Sequence, residues 1–131
     1  MLALVTGGDR GIGFAIAKKL FENGYDVVIA ARDKKQLADA KKRIKTENKK
    51  GTEKTRGSLV FSFVCDVTDR KQIGELERLV AEIGDIDILV NDAGVAFNKP
   101  LLRDSDAEID AMIDVNLRGL ISVTKAFLPQ M

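Results

Sequence analysis

The chain alternates between short, almost unbroken apolar runs and longer stretches in which apolar residues recur every three or four positions. Leu2–Thr6 is a run of the first kind and predicts a strand. From Ile12 to Phe21 the apolar positions Ile12, Ile16, Ala17 and Leu20 keep helical spacing, and Asn23-Gly24 supplies the stop. Asp26–Ala31 is short and β-branched and predicts a second strand. Asp33 then caps a helix running to about Glu47. The same alternation predicts strands at Ser58–Cys65 and Ile86–Val90 and a helix over Asp69–Ile83. After a loop through Pro100, a long last helix starts from about Ser105.

This order is β-α-β-α-β-α-β-α. Apolar strands separated by helices predict a parallel sheet covered on both faces. Right-handed crossovers leave few topologies, and the expected strand order is 3-2-1-4. That is the opening part of a Rossmann-type doubly wound α/β sheet, ending before a fifth strand, as one domain over residues 1–131. Such sheets bind ligands beyond the carboxyl ends of their strands, where the order reverses. Here that point lies between the first and fourth strands, and both Gly7–Gly13 and Asn91–Gly94 fall there.

Composition narrows the classes. The 131 residues are 45% hydrophobic and 31% charged, as in an ordinary globular domain. No apolar run is long enough to cross a bilayer, and the first residues have neither a basic n-region nor a small-residue cleavage site. A single cysteine, Cys65, cannot form an internal disulfide and fits a reducing, cytoplasmic setting. The absence of histidine removes His-based acid–base catalysis and most zinc sites, so no metal is expected. A net charge of +1 provides no global field for nucleic acid. Locally, Lys34–Arg56 holds ten Lys/Arg against three Asp/Glu. It is either a patch for anions or nucleic acid, or a solvated helix face followed by a surface insertion at Asn48–Gly57, and the second reading is adopted.

The chemistry concentrates in Thr6-Gly7-Gly8-Asp9-Arg10-Gly11-Ile12-Gly13, set between a strand and a helix. Gly7 makes the tight exit from the strand. Gly11 and Gly13 permit close approach of a phosphate and close helix–sheet packing. The helix beyond offers free N–H groups and the positive end of its dipole. The spacing is Gly-x-x-x-Gly-x-Gly and not the Gly-x-Gly-x-x-Gly of the commoner dinucleotide loop.

Three ordered motifs, the glycine loop, Asn91-Asp92-Ala93-Gly94 and Val115-Asn116 in the last helix, resemble the short-chain dehydrogenase/reductase family along essentially the whole chain. Ala3–Ile16, Ala31-Arg32-Asp33 and Ala93–Lys99 are most similar to its NADPH-dependent carbonyl reductases, and also resemble its 3-oxoacyl carrier-protein reductases. The resemblance implies hydride transfer between a nicotinamide and a small carbonyl or alcohol substrate. The cofactor site it implies takes in Gly7, Asp9, Arg10, Gly11, Ile12, Gly13, Arg32, Asp66, Val67, Asn91, Ala93, Gly94 and Val115. Asp66 and Val67 would read adenine, or Asp66 serves only as a turn residue. Asn91 would tie the central strands together, and Ala93-Gly94 would leave room for ribose. Asp92 stands where asparagine is commoner. Asn116 would bend the last helix and help hold a relay water, as the one catalytic residue present.

NAD enzymes of this kind usually end the second strand on an acidic residue. Here the position is Ala31, followed by Arg32, whose guanidinium suits a 2′-phosphate, with Arg10 on the other side. NADP(H) is therefore expected before NAD(H). Thr6 and Cys65 read as structural, and Asp106, Glu108, Asp110 and Asp114 as a solvated helix face.

The family's serine and Tyr-x-x-x-Lys find no match: the one tyrosine, Tyr25, has Ile29 four residues on. The chain is thus expected to be the N-terminal half of a reductase, inactive alone and oligomeric at full length. In that half Leu117, Leu120, Ile121, Val123 and Phe127 of the last helix lack partners. The alternative is a short dinucleotide-binding protein without catalysis.

Overall fold

The structure, a computed structural model, describes residues 1–47 and 57–131. Four parallel strands, β1 (Leu2–Thr6), β2 (Asp26–Ala31), β3 (Val60–Val64) and β4 (Ile88–Asn91), form one sheet in the order β3-β2-β1-β4. Leu4 pairs with Val28 on one side and Leu89 on the other. Helices α1 (Gly11–Glu22), α2 (Lys34–Glu47) and α3 (Arg70–Ala81) are the crossovers. The expected topology is the observed one. The expected insertion at Asn48–Gly57 lies outside the described residues except for Gly57.

Alternation along the strands sends neighbouring residues to opposite faces, which makes two cores. Val5, Val27 and Ile29 pack under Phe14, Ala17 and Phe21 of α1 and Leu37, Ala40 and Ile44 of α2. Leu2, Leu4 and Val28 pack under Ile73, Leu76 and Val80 of α3, with Val123 and Phe127 of the last helix. Both of those last residues are fully buried, so the expectation that they lack partners is corrected: α3 and the sheet cover them.

The predicted long last helix begins where expected. Ser105 caps it, and a reciprocal Ser105–Glu108 capping box closes its first turn. It is not uniform, however. An α-helical part, α4 (Asp106–Ile113), runs into a π-helical segment, Asp114–Gly119, and then into α5 (Leu120–Phe127). Strand ends also shift. β4 starts at Ile88, two residues later than expected; Asp87 before it bonds Leu2 twice, its N–H donating to Leu2 O at 2.9 Å and its carboxylate accepting from Leu2 N at 2.7 Å.

Candidate functional site

At the carboxyl ends of β1 and β4 the chain is drawn tight around Thr6. Its hydroxyl donates to Val90 O (3.4 Å) and accepts from the N–H groups of Asp92 (3.2 Å) and Ala93 (3.3 Å). The turn that follows is then locked: Gly7 N donates to Ala30 O at 2.8 Å. Gly7 has φ +69°, and a side chain there would lie 2.9 Å from Ala93 N. The glycine loop and the Asp92–Gly94 loop therefore meet at the switch point of the sheet, as the topology requires.

Between them lies a cavity of about 1010 Å³. Gly7, Asp9, Arg10, Gly11 and Ile12 form one wall, and Ala31, Arg32 and Asp33 with the first turn of α2 form a second. Cys65, Asp66 and Val67 line a third side, and Asp92 to Val95 with Val115 the fourth. Of the residues expected around a cofactor, all but Gly13 and Asn91 line it.

Gly13 is buried behind the loop. A methyl group on it would fall on the carbonyl oxygen of Gly7 and 2.7 Å from Asp92 Oδ2, so its role is packing. Gly11 differs: its φ is +58° and the space where a side chain would stand is open. The expected interstrand tie at Asn91 takes another form. The Asn91 side chain donates to Thr124 Oγ1 of α5 at 3.0 Å, and Thr6 makes the strand-to-loop bridge instead.

The helices differ in how they begin. Asp33 Oδ1 accepts from Lys35 N (2.8 Å) and Gln36 N (3.0 Å) at the start of α2. Asp69 does the same for Lys71 and Gln72 at α3. Hydrogen bonds from these amides, led by Gln36 N, hold the Asp33 carboxyl below its ordinary pKa. At α1, by contrast, Arg10 stands in the cap position, no side chain accepts from the first turn, and that turn contains no acidic residue. The first bond back to the loop is Phe14 N to Arg10 O, so the amides of Gly11, Ile12 and Gly13 are left for something else.

Asp66 Oδ1 accepts from both the N–H (2.9 Å) and the hydroxyl (2.8 Å) of Thr68. The turn role expected as the alternative for Asp66 is thus present. Cys65 is buried beneath it, and burial pushes its thiol up to about 11, which keeps it protonated and inert at neutral pH. Asn116 sits in the π-helical segment. Its amide oxygen accepts from Val95 N and its amide nitrogen donates to Val95 O, both at 2.8 Å. Both ends of the side chain are occupied by the loop after Gly94. Tyr25 packs against the α1/α2 core and does not line the cavity.

Some participants were read otherwise or not at all. Lys34 and Lys35, read with the rest of Lys34–Arg56 as a solvated face, line the cavity, as does Val95. Gly8 is held by Ile29, whose methyl group lies 2.7 Å from where its side chain would start. Gly119 stands in the same relation to Val67. The lysines lie two and three residues after Arg32, so proximity in sequence could have found them. The two glycine contacts are made across space and have no local signal.

A parallel sheet in this order, with a glycine-lined cavity at its switch point, is the frame of a doubly wound α/β protein. Within that class the chain belongs to the short chain dehydrogenase family, which it matches over residues 1–131. It is similar to an uncharacterized oxidoreductase of Staphylococcus saprophyticus, at 37% identity over 99% of this chain and 53% of the relative. It is also similar to the 3-oxoacyl-(acyl-carrier-protein) reductase FabG of Staphylococcus aureus, at 35% over 98% of this chain and 50% of that one. Among solved structures, the alcohol dehydrogenase of the archaeon Thermococcus sibiricus complexed with 5-hydroxy-NADP superposes with a TM-score of 0.85. The two share 35% identity over 98% of this chain and 52% of that one. The chain spans about half the length of the relatives it matches.

Proposed function

We propose that this chain supplies the dinucleotide-binding half of an NADP(H)-dependent oxidoreductase acting on a small carbonyl or alcohol substrate. The observation that carries the reading is the uncapped α1 N-terminus opening, through glycines at positive φ, into a cavity that Arg10 and Arg32 also line. The residues fit the group. Gly11, on the cavity wall, holds φ +58°, a backbone conformation that glycine adopts without strain. Free amides and a helix dipole suit a diphosphate.

The 2′-phosphate preference follows from charge. Ala31 places no carboxylate at the end of β2, and Asp33 is committed to capping α2, which leaves the Arg32 guanidinium beside the cavity. The relative solved with 5-hydroxy-NADP is consistent with this choice. When bound, the nicotinamide gives or takes the hydride. This chain's own residues bind and orient: Asp66 and Val67 face the adenine end, Ala93 and Gly94 clear space for ribose, and Asn116 is a positioning residue that fastens Val95.

The longer protein is proposed to supply the substrate pocket and the serine and tyrosine–lysine acid, and to assemble as an oligomer through its last helix. Residues 1–131 alone are then expected to bind NADPH without turning over a ketone or 3-oxoacyl thioester. The test is a fluorescence titration with NADPH and NADH of the chain and of Arg32→Asp. The substitution should weaken NADPH at least about tenfold, one charge-assisted bidentate contact being lost, and favour NADH. An unchanged preference sinks the cofactor assignment. Binding without turnover by the full gene product supports the non-catalytic reading.

A further inference from the structure

Asp92 lines the cavity, yet the function above gives it no task. Its backbone is fixed, and its side chain lies against α1. Its backbone N–H donates to Thr6 Oγ1 at 3.2 Å, which pins the loop to β1. Its carboxylate faces the first turn of α1, where a methyl group on Gly13 would lie 2.7 Å from Oδ2. Among the described residues no donor and no basic side chain pairs with this carboxylate. It is a negative charge standing beside the start of α1, which lacks the side-chain cap that Asp33, Asp69 and Ser105 give α2, α3 and α4.

We propose that Asp92 is a resident anion of the α1 N-terminus, which stabilises the ligand-free protein and lowers its affinity for a diphosphate at the same helix end. The first half needs only the helix. A carboxylate near an N-terminal turn interacts favourably with the dipole. The second half rests on the dinucleotide reading of the cavity. A diphosphate drawn to the amides of the α1 start meets a like charge standing beside that turn. Asparagine keeps the size and the backbone bond to Thr6 and removes the charge. Asp92 therefore sets affinity for NADPH and NADH alike, both of which carry the diphosphate, whereas Arg32 separates the two.

The test is Asp92→Asn, with Asp92→Ser as a second variant that removes the charge differently. Without ligand, both should melt about 2–4 °C lower than the wild type, the shift expected for loss of one helix-end charge. In a fluorescence titration, the Kd for NADPH should fall about three- to tenfold. The affinity for adenosine 2′-phosphate, which lacks the diphosphate, should not change. NADPH binding that is unchanged or weaker in both variants overturns the proposal. An equal gain for adenosine 2′-phosphate does so too, because the effect then is not aimed at the diphosphate. A wild-type chain that binds no NADPH at all defeats the dinucleotide reading instead. The melting comparison still decides the resident-anion half, which unchanged melting would sink.

Discussion

Glycines that look alike in the sequence serve for different physical reasons. Gly11 is needed for its dihedral angle, φ +58°, with open space around it. Gly13 has ordinary helical backbone but no room, since its neighbours are the Gly7 carbonyl and the Asp92 carboxylate. Backbone cannot move aside as a flexible side chain can. Gly13→Ala is therefore expected to cost about 1–3 kcal/mol by overpacking and to disturb the loop that lines the cavity. Chemical denaturation together with NADPH titration checks both effects, and a variant as stable as the wild type contradicts the packing role. The motif glycines were legible because their spacing recurs between a strand and a helix. Gly8 and Gly119 were not, because what confines them is Ile29 and Val67, brought there by the fold. Asn91 illustrates the limit of a resemblance: it implied a tie between the central strands, whereas the packing of α5 over β4 gives the side chain Thr124 as its partner.

At the scale of elements, helix starts were readable because the capping residue is local: Asp33, Asp69 and Ser105 each accept from the turn they precede. The family resemblance implied a bend at Asn116, inside the π-helical segment, but the π-helical form itself was not readable from spacing. Its apolar spacing over six residues differs too little from that of an α-helix, and the change is stabilised by Asn116 reaching across to Val95. The start of α4 carries a testable charge. Glu108 accepts from Lys99 Nζ at 2.5 Å and from the N–H and hydroxyl of Ser105, both at 2.9 Å. The lysine bond first, and then the serine bonds, draw its carboxyl down to about 2 from an ordinary 4.5. A folded pKa below the unfolded one means that the ionised form favours the fold. That contribution is complete above about pH 4.5 and is lost as pH falls toward about 2. Glu108→Gln should therefore lose less stability than the wild type across that window. Melting curves of both proteins taken from neutrality downward decide it: identical acid profiles mean the Lys99 clamp contributes nothing.

For the whole molecule, the sheet order and the placement of the cavity followed from the alternation of elements and the handedness of crossovers, both encoded along the chain. The burial of the last helix did not follow, because one amphipathic stripe can be covered by the same chain or by another. The structure divides the stripe. Val123 and Phe127 fill the core, while Leu117 (55% exposed), Leu120 (41%) and Ile121 (53%) face outward, with Ile113 and Leu128 continuing the surface at either end. Nonpolar side chains gathered on one helix surface favour association over solvation. The protein is accordingly expected to self-associate through this face, as proposed for the full-length form. The double variant Leu117→Glu/Ile121→Glu places two charges on adjacent turns of that surface without touching Val123 or Phe127. Sedimentation velocity should show the wild type shifting to heavier species with concentration and the variant remaining a monomer with an unchanged melting temperature. A wild type that stays monomeric at tens of micromolar assigns the exposed leucines to no partner of its own kind. A variant that melts earlier shows instead that the same residues contribute to the fold.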